Sequence, residues 1–153
     1  MRHLDLRSLR FDASGDAWRR LPVEIDEFNI GGQSYYVPDD VVEVDLTVGR
    51  VGDRLTLNAV IDTELHGPCQ RCLAPAEIPV HAEGRETVLR GESEGDDADE
   101  SYVEGYRLDL LAWARDLVGS ALPLKLLCRE DCRGLCPVCG ADLNADPDHV
   151  HVY

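Results

Sequence analysis

The sequence holds a single lysine, Lys125, and a single methionine, and no apolar run approaches the roughly 18 residues of a membrane-spanning helix. Its opening, MRHLDLRSLR, carries charge where a signal peptide would need an apolar stretch, so the expected compartment is the cytoplasm, with no membrane partner. Several catalytic signatures are also missing: no phosphate-binding glycine loop, no G-x-S-x-G, and no H-E-x-x-H. Neither an enzyme activity nor a small-molecule substrate is expected. Positive charge is scarce as well, with 15 basic against 30 acidic residues and a net charge of -15. Such a field repels a phosphate backbone and excludes indiscriminate nucleic-acid binding, while it attracts a basic partner.

What is present reads as one domain of 153 residues, enough for one core and too short for two with linkers. VEIDEFNI, Gly31-Gly32 and QSYYV predict a hairpin from Val23, closed by Pro38. Val42, Val44, Leu46 and Val48 alternate with Glu43, Asp45 and Thr47. Beyond a turn over Gly49 to Asp53, Leu55, Leu57, Ala59 and Ile61 alternate again. This period of two predicts a pair of half-buried antiparallel strands. A further strand is expected between Ile78 and Leu89. GESEGDDADE has too little apolar surface to offset its ordering entropy, so residues 91–101 are expected to form a flexible acidic loop. From Asp109, an N-cap, the residues Leu110, Trp113, Ala114, Leu117 and Ala121 recur at helical spacing until Pro123 stops the helix. Trp113 lies on that apolar stripe and is expected in the core rather than as a stacking platform.

The chain has six cysteines, and four of them crowd into CREDCRGLCPVCG. In a reducing compartment such spacing indicates metal ligands before disulfides. Cys69 and Cys72 form one C-x-x-C, on the turn after a strand; Cys136 and Cys139 form another, in which Pro137 stiffens the turn and Gly140 lets the backbone fold back. A structural Zn2+ takes four thiolate or imidazole ligands, so six thiols are too many for one ion and too few for two. The preferred set is local, Cys128, Cys132, Cys136 and Cys139, because it closes only short loops. A zinc ribbon would instead join Cys69 and Cys72 to Cys136 and Cys139. A third arrangement joins them to Cys128 and Cys132. His149 and His151 are possible substitutes, although a frayed tail is the simpler expectation for both.

Two other thiol chemistries fit less well. Cys132, Cys136 and Cys139 match the spacing with which radical enzymes using S-adenosylmethionine hold an iron–sulfur cluster, yet only 14 residues follow Cys139, where such enzymes carry a large α/β barrel. A redox role for Cys69 and Cys72 lacks the thioredoxin-like βαβ setting.

Taken in order, CQRCLAP, YRLDLLAWARDLVGSALPLKLLC and REDCRGLCPVCGADLN resemble the YceD family of large ribosomal RNA subunit accumulation proteins. The resemblance is close over Cys69 to Cys72 and Tyr106 to Asn144, and looser over the first 65 residues. It implies a non-catalytic part in bacterial large-subunit biogenesis, with precursor ribosomal RNA or a basic large-subunit ribosomal protein as partner. Members keep C-x-R-C while varying the C-terminal cysteines, which implies that the two thiol groups need not share an ion. Arg71, between two cysteines, becomes the residue of interest, and Arg129 and Arg133 flank the other thiols. The three together are the expected RNA- or partner-binding residues. The competing class is a zinc-dependent thiol-switch chaperone.

The expected fold is therefore α+β: a single domain over 1–153, mostly antiparallel sheet, with one C-terminal helix and a zinc-binding tail over 124–145.

Overall fold

A computed structural model describes residues 1–89, 102–146 and 148–150, which leaves the expected acidic loop 91–101 and His151 outside the described residues. In chain order the strands are β1 (His3–Asp5), β2 (Asp16–Glu24), β3 (Phe28–Ile30), β4 (Gln33–Tyr35), β5 (Val41–Val51), β6 (Arg54–Pro68), β7 (Pro75–Leu89), β8 (Val103–Glu104) and β9 (Arg107–Asp109), followed by the helix α1 (Leu110–Ser120). The α+β architecture expected from the sequence is present, a mostly antiparallel sheet with one helix and a cysteine cluster toward the C-terminus.

The main sheet runs β2-β5-β6-β7, every neighbour antiparallel. Alternation builds it: Val42, Val44, Leu46 and Val48 of β5 and Leu57, Ala59 and Ile61 of β6 are at most 2% exposed, while Glu43 and Thr47 face outward. In β7, Ala76, Ile78, Val80 and Ala82 turn inward and Glu77, Pro79, His81 and Glu83 turn outward. β6 and β7 are 15 residues each and pair without interruption from Arg54↔Leu89 to Pro68↔Pro75. The result is one long hairpin whose tip, residues 69–74, carries the first C-x-x-C.

The helix α1 lies on β7 and also reaches β2, the two edges of the sheet, so the sheet curls around a single core. The Asp109 side chain caps α1 as expected, accepting from the Ala112 N–H at 3.1 Å. Leu110, Trp113, Ala114 and Val118 are buried, which confirms Trp113 as a core residue. Gly84 allows the close approach to β7: a Cβ there would lie 2.4 Å from Leu117 Cδ2. Directly before α1, β9 pairs with β1 and β8 in a small second sheet that ties the N-terminus to the start of the helix.

The hairpin expected from Val23 is shorter than the sequence pattern indicates. Val23 and Glu24 end β2, and only Phe28–Ile30 and Gln33–Tyr35 form the arms, around Gly31 and Gly32 at φ 60° and 79°. Arg115 of α1 accounts for the break. Its guanidinium donates to the carbonyls of Asp26 and Glu27 and stacks 4.3 Å from the Phe28 ring, which draws this segment toward the helix.

The β3–β4 hairpin docks beside the tip of β6. Tyr36 and His66 exchange backbone hydrogen bonds, and buried Tyr35 donates its hydroxyl to the Pro68 carbonyl at 2.6 Å. The Tyr35 ring fills the space over Gly67, where a Cβ would meet ring carbons at 2.3 to 2.9 Å. Gly67→Ala is thus expected to destabilise the fold by about 1–3 kcal/mol through overpacking. Gly119→Ala, on α1 with nothing within 4 Å of the added carbon, is expected to stabilise it by roughly 0.5–1 kcal/mol through helix propensity. Urea unfolding of the two variants beside the parent checks both signs.

Candidate metal centre

The first knuckle is a turn with a definite hydrogen-bond pattern. The Cys69 N–H donates to the Ala74 carbonyl at 2.8 Å and the Leu73 N–H to the Cys69 carbonyl at 2.9 Å, with Leu73 in the left-handed region at φ 64°. That conformation is costly for a side chain of this size, on the order of 1–2 kcal/mol, and it leaves Leu73 58% exposed. Gln70 joins this turn to the segment after α1: its N–H donates to the Leu126 carbonyl and its Oε1 accepts from the Leu126 N–H, both at 2.8 Å.

This reciprocal pair places Cys128 and Cys132 over the knuckle. Cys69 Sγ lies 3.6 Å from Cys132 Sγ across 63 residues of chain, and Cys72 Sγ lies 3.6 Å from Cys128 Sγ across 56. All four sulfurs fall within 4.8 Å of one another. A disulfide would need about 2.05 Å, and the cysteines are free. A tetrahedral ion with sulfur at about 2.3 Å separates its ligands by roughly 3.8 Å. The donor set therefore fits a metal ion of the thiophilic kind.

The preferred local set is divided by this arrangement. Cys128 and Cys132 stand with Cys69 and Cys72, whereas Cys136 and Cys139 stand with His149, their ligand atoms again within 4.8 Å. The ribbon pairing of Cys69 and Cys72 with Cys136 and Cys139 is not formed either. The physical reason is that the β6–β7 ladder and the seating of α1 already carry the hairpin tip to the post-helix segment, so the long loop is closed by the fold itself. His149, expected in a frayed tail, instead has Nε2 at 3.3 Å from Cys139 Sγ.

Charge is distributed unevenly within the first cluster. Burial opposes ionisation of Cys69, but the N–H groups of Cys72, Cys128 and Arg71 and the Cys132 thiol outweigh it and bring its pKa down to about 6. Burial pushes Cys72 up, and burial together with the neighbouring thiols carries Cys128 up to about 12. Like charges at these separations cannot all form unaided, and a divalent cation supplies the charge that lets them ionise together. In the second cluster the Cys139 and Val138 amides, aimed at the sulfur, lower Cys136 to about 6.

The three expected arginines all flank the four-thiol cluster, and all are exposed. Arg71 donates from Nη1 to the Cys132 carbonyl at 2.8 Å. Arg129 donates from Nη2 to Asn144 Oδ1 at 2.8 Å and pairs with Asp131 at 3.3 Å. Arg133 donates its backbone N–H to the same Asn144 Oδ1, and its residue has a further partner. Asn144 was not singled out by its place in the sequence, yet it connects the site: its Nδ2 donates to Cys132 Sγ at 3.3 Å. Its position in GADLN just after the cysteines is the only signal that points to it.

The family described as "Large ribosomal RNA subunit accumulation protein YceD" matches residues 57–152, which covers the main hairpin from Leu57 onward, the helix and both thiol clusters. An uncharacterized protein of Mycobacterium tuberculosis is 32% identical over 115 residues, 72% of this chain and 56% of the relative. One of Mycobacterium leprae is 30% identical over 115 residues, 72% of this chain and 52% of the relative. The chain thus spans about half the length of the curated relatives it matches. No solved structure matches it.

Outer-shell groups that hold metal ligands in place typically contribute about 10–100-fold to metal affinity. Asn144→Ala is accordingly expected to weaken metal retention at the four-thiol cluster by that order, measured by competition with a chromogenic chelator. Retention equal to the parent's would show that the Asn144 amide does not support Cys132.

Proposed function

We infer the function from family and surface together: the chain belongs to the YceD family of large ribosomal RNA subunit accumulation proteins, and it supports accumulation of large-subunit ribosomal RNA as a non-catalytic factor. Its ion is a structural Zn2+ held by Cys69, Cys72, Cys128 and Cys132. The bound metal supplies positive charge that keeps the four thiols ionised around it, and in doing so fixes the hairpin tip to the post-helix segment.

The partner that fits this surface best is a basic protein of the large subunit. One observation carries that choice: the arginines beside the thiols are already engaged within the chain, Arg71 on the Cys132 carbonyl, Arg129 on Asn144 and Asp131, and Arg133 likewise partnered. Along the chain from Leu124 to Asp148, Glu130, Asp131, Asp142, Asp146 and Asp148 outnumber Lys125, Arg129 and Arg133, and with Arg71 added the acids still lead by five to four. The local field therefore has the same sign as the net charge of -15. A basic protein is drawn to such a surface, whereas a phosphate backbone would have to overcome it. Beyond the Cys132 carbonyl, Asn144 and Asp131, the guanidinium groups of Arg71 and Arg129 hold further N–H donors that can meet partner carboxylates or carbonyls.

A second reading rests on the two sulfur pairs at 3.6 Å, within easy reach of disulfide formation. In a thiol switch, peroxide would oxidise the pairs, eject the ion and expose apolar surface for chaperone action. Mild peroxide then releases metal and confers suppression of client aggregation. The assembly factor keeps its metal.

Alanine at Arg71, Arg129 and Arg133 together, with metal content as the check on folding, is expected to lower large-subunit relative to small-subunit ribosomal RNA in cells that depend on the variant. It should also weaken binding to precursor particles. An unchanged ratio with unchanged binding would contradict the assignment of these residues. Retention by precursor RNA but not by basic large-subunit proteins at physiological ionic strength would replace the protein partner with RNA.

A further inference from the structure

The second C-x-x-C repeats the first in its backbone as well as its spacing. In the first knuckle the Cys69 N–H donates to the carbonyl five residues on, at Ala74, and the Leu73 N–H returns to the Cys69 carbonyl. In the second the Cys136 N–H donates to the carbonyl five residues on, at Ala141, and the Gly140 N–H returns to the Cys136 carbonyl, each at 2.8 Å. The residue four after the first cysteine is left-handed in both, Leu73 at φ 64° and Gly140 at φ 75°. The amides two and three residues on point at the first sulfur in both, those of Arg71 and Cys72 at Cys69 and those of Val138 and Cys139 at Cys136. The Leu135↔Asp142 bridge closes the second turn as the β6–β7 ladder closes the first. Two turns of one construction, each offering two sulfurs to a single point, serve one kind of ligand.

Only the first turn has Cys128 and Cys132 above it. Over the second stands His149, with Nε2 at 3.3 Å from Cys139 Sγ and Nδ1 facing Asp146 Oδ2 at 3.6 Å. Its backbone N–H also donates to the Asp146 carbonyl at 3.2 Å. A carboxylate on the far nitrogen of an imidazole is the usual outer-shell support of a metal-binding histidine, since it sets the ring orientation and directs the other nitrogen to the ion. We propose that Cys136, Cys139 and His149 form a second metal site, separate from the four-thiol cluster, so that the chain binds two thiophilic divalent cations of the Zn2+ class.

The two sites differ in access. Cys69, Cys72 and Cys132 are buried within the core cluster and Cys128 is partly buried against it, while in the second site Cys136 is buried but Cys139 is exposed and Val138 beside it is 56% exposed. Three ligands among the described residues leave one position of a tetrahedral ion for a further donor, the condition under which zinc exchanges most readily. The second ion is therefore the labile one. It closes only a short stretch, the 10 residues from Cys139 to His149, and it ties His149 to the second knuckle independently of any ribosomal role.

The test is elemental analysis of the full chain after dialysis into metal-free buffer at neutral pH, followed by stepwise release to a chromogenic chelator. The parent is expected to hold two Zn2+ per chain and to release one well before the other. Cys139→Ser with His149→Ala is expected to hold one, released at the parent's slower rate. A parent whose single ion the double variant keeps, or a double variant that still holds two, would overturn the second site. Should the double variant hold none, Cys69→Ser with Cys72→Ser decides: an ion kept there upholds the second site, and none overturns it. None of these outcomes depends on the ribosomal reading, whose own test is the arginine variant.

Discussion

The structure depends on the meeting of two segments that are more than fifty residues apart in sequence. The tip of the β6–β7 hairpin and the stretch after α1 are joined by the Gln70–Leu126 hydrogen bonds and by four sulfurs within 4.8 Å of one another. Everything nearby is arranged around that junction. Tyr35 braces the last turn of β6 by filling the space over Gly67, Arg71 reaches across to the Cys132 carbonyl, and Asn144 folds back onto Cys132. Three of the four cysteines belong to the hydrophobic core cluster as buried members and Cys128 packs against it, so an ion there would be bound into the core and not appended to it.

Burial has a consequence for function. A site enclosed in this way has little freedom to exchange ligands or admit substrate, which suits a structural ion better than a catalytic one. What the junction presents to solvent is a loop surface whose arginines are already committed and whose surroundings are acidic. Electrostatics of this sign gives partner choice and encounter rate more than affinity, which is the basis of the basic-protein partner proposed above. Among the described residues no helix is long and apolar enough to cross a membrane.

The sequence made some of this legible and left other parts hidden, for physical reasons. β5, β6 and α1 were readable because one face of each is buried, and burial writes a period of two or of 3.6 into the chain. β2 was not read. It is an edge strand, where an outward Trp18 at 63% exposure and a tolerated Pro22 both blur the alternation. β1, β8 and β9 are two or three residues each, too short for any period to show. The knuckles were legible as metal-binding turns, yet spacing alone did not group them. A preference for short loops is worth only roughly 2 kcal/mol between a 63-residue and a four-residue closure. That is small beside the packing that forms the sheet and seats the helix, and once these form, the long closure costs nothing further. The family, by contrast, was readable from three ordered motifs, and the match over residues 57–152 covers them.

The central claim is that one ion is shared between Cys69 and Cys72 on the hairpin and Cys128 and Cys132 after the helix. Its most direct test is metal content per chain for the parent and for Cys69→Ser with Cys72→Ser, purified without added metal. The variant is expected to carry one ion fewer than the parent, because two ligands cannot hold what four held. Equal metal content in the two would contradict it, and would return Cys128, Cys132, Cys136 and Cys139 as a local site that holds its own tail.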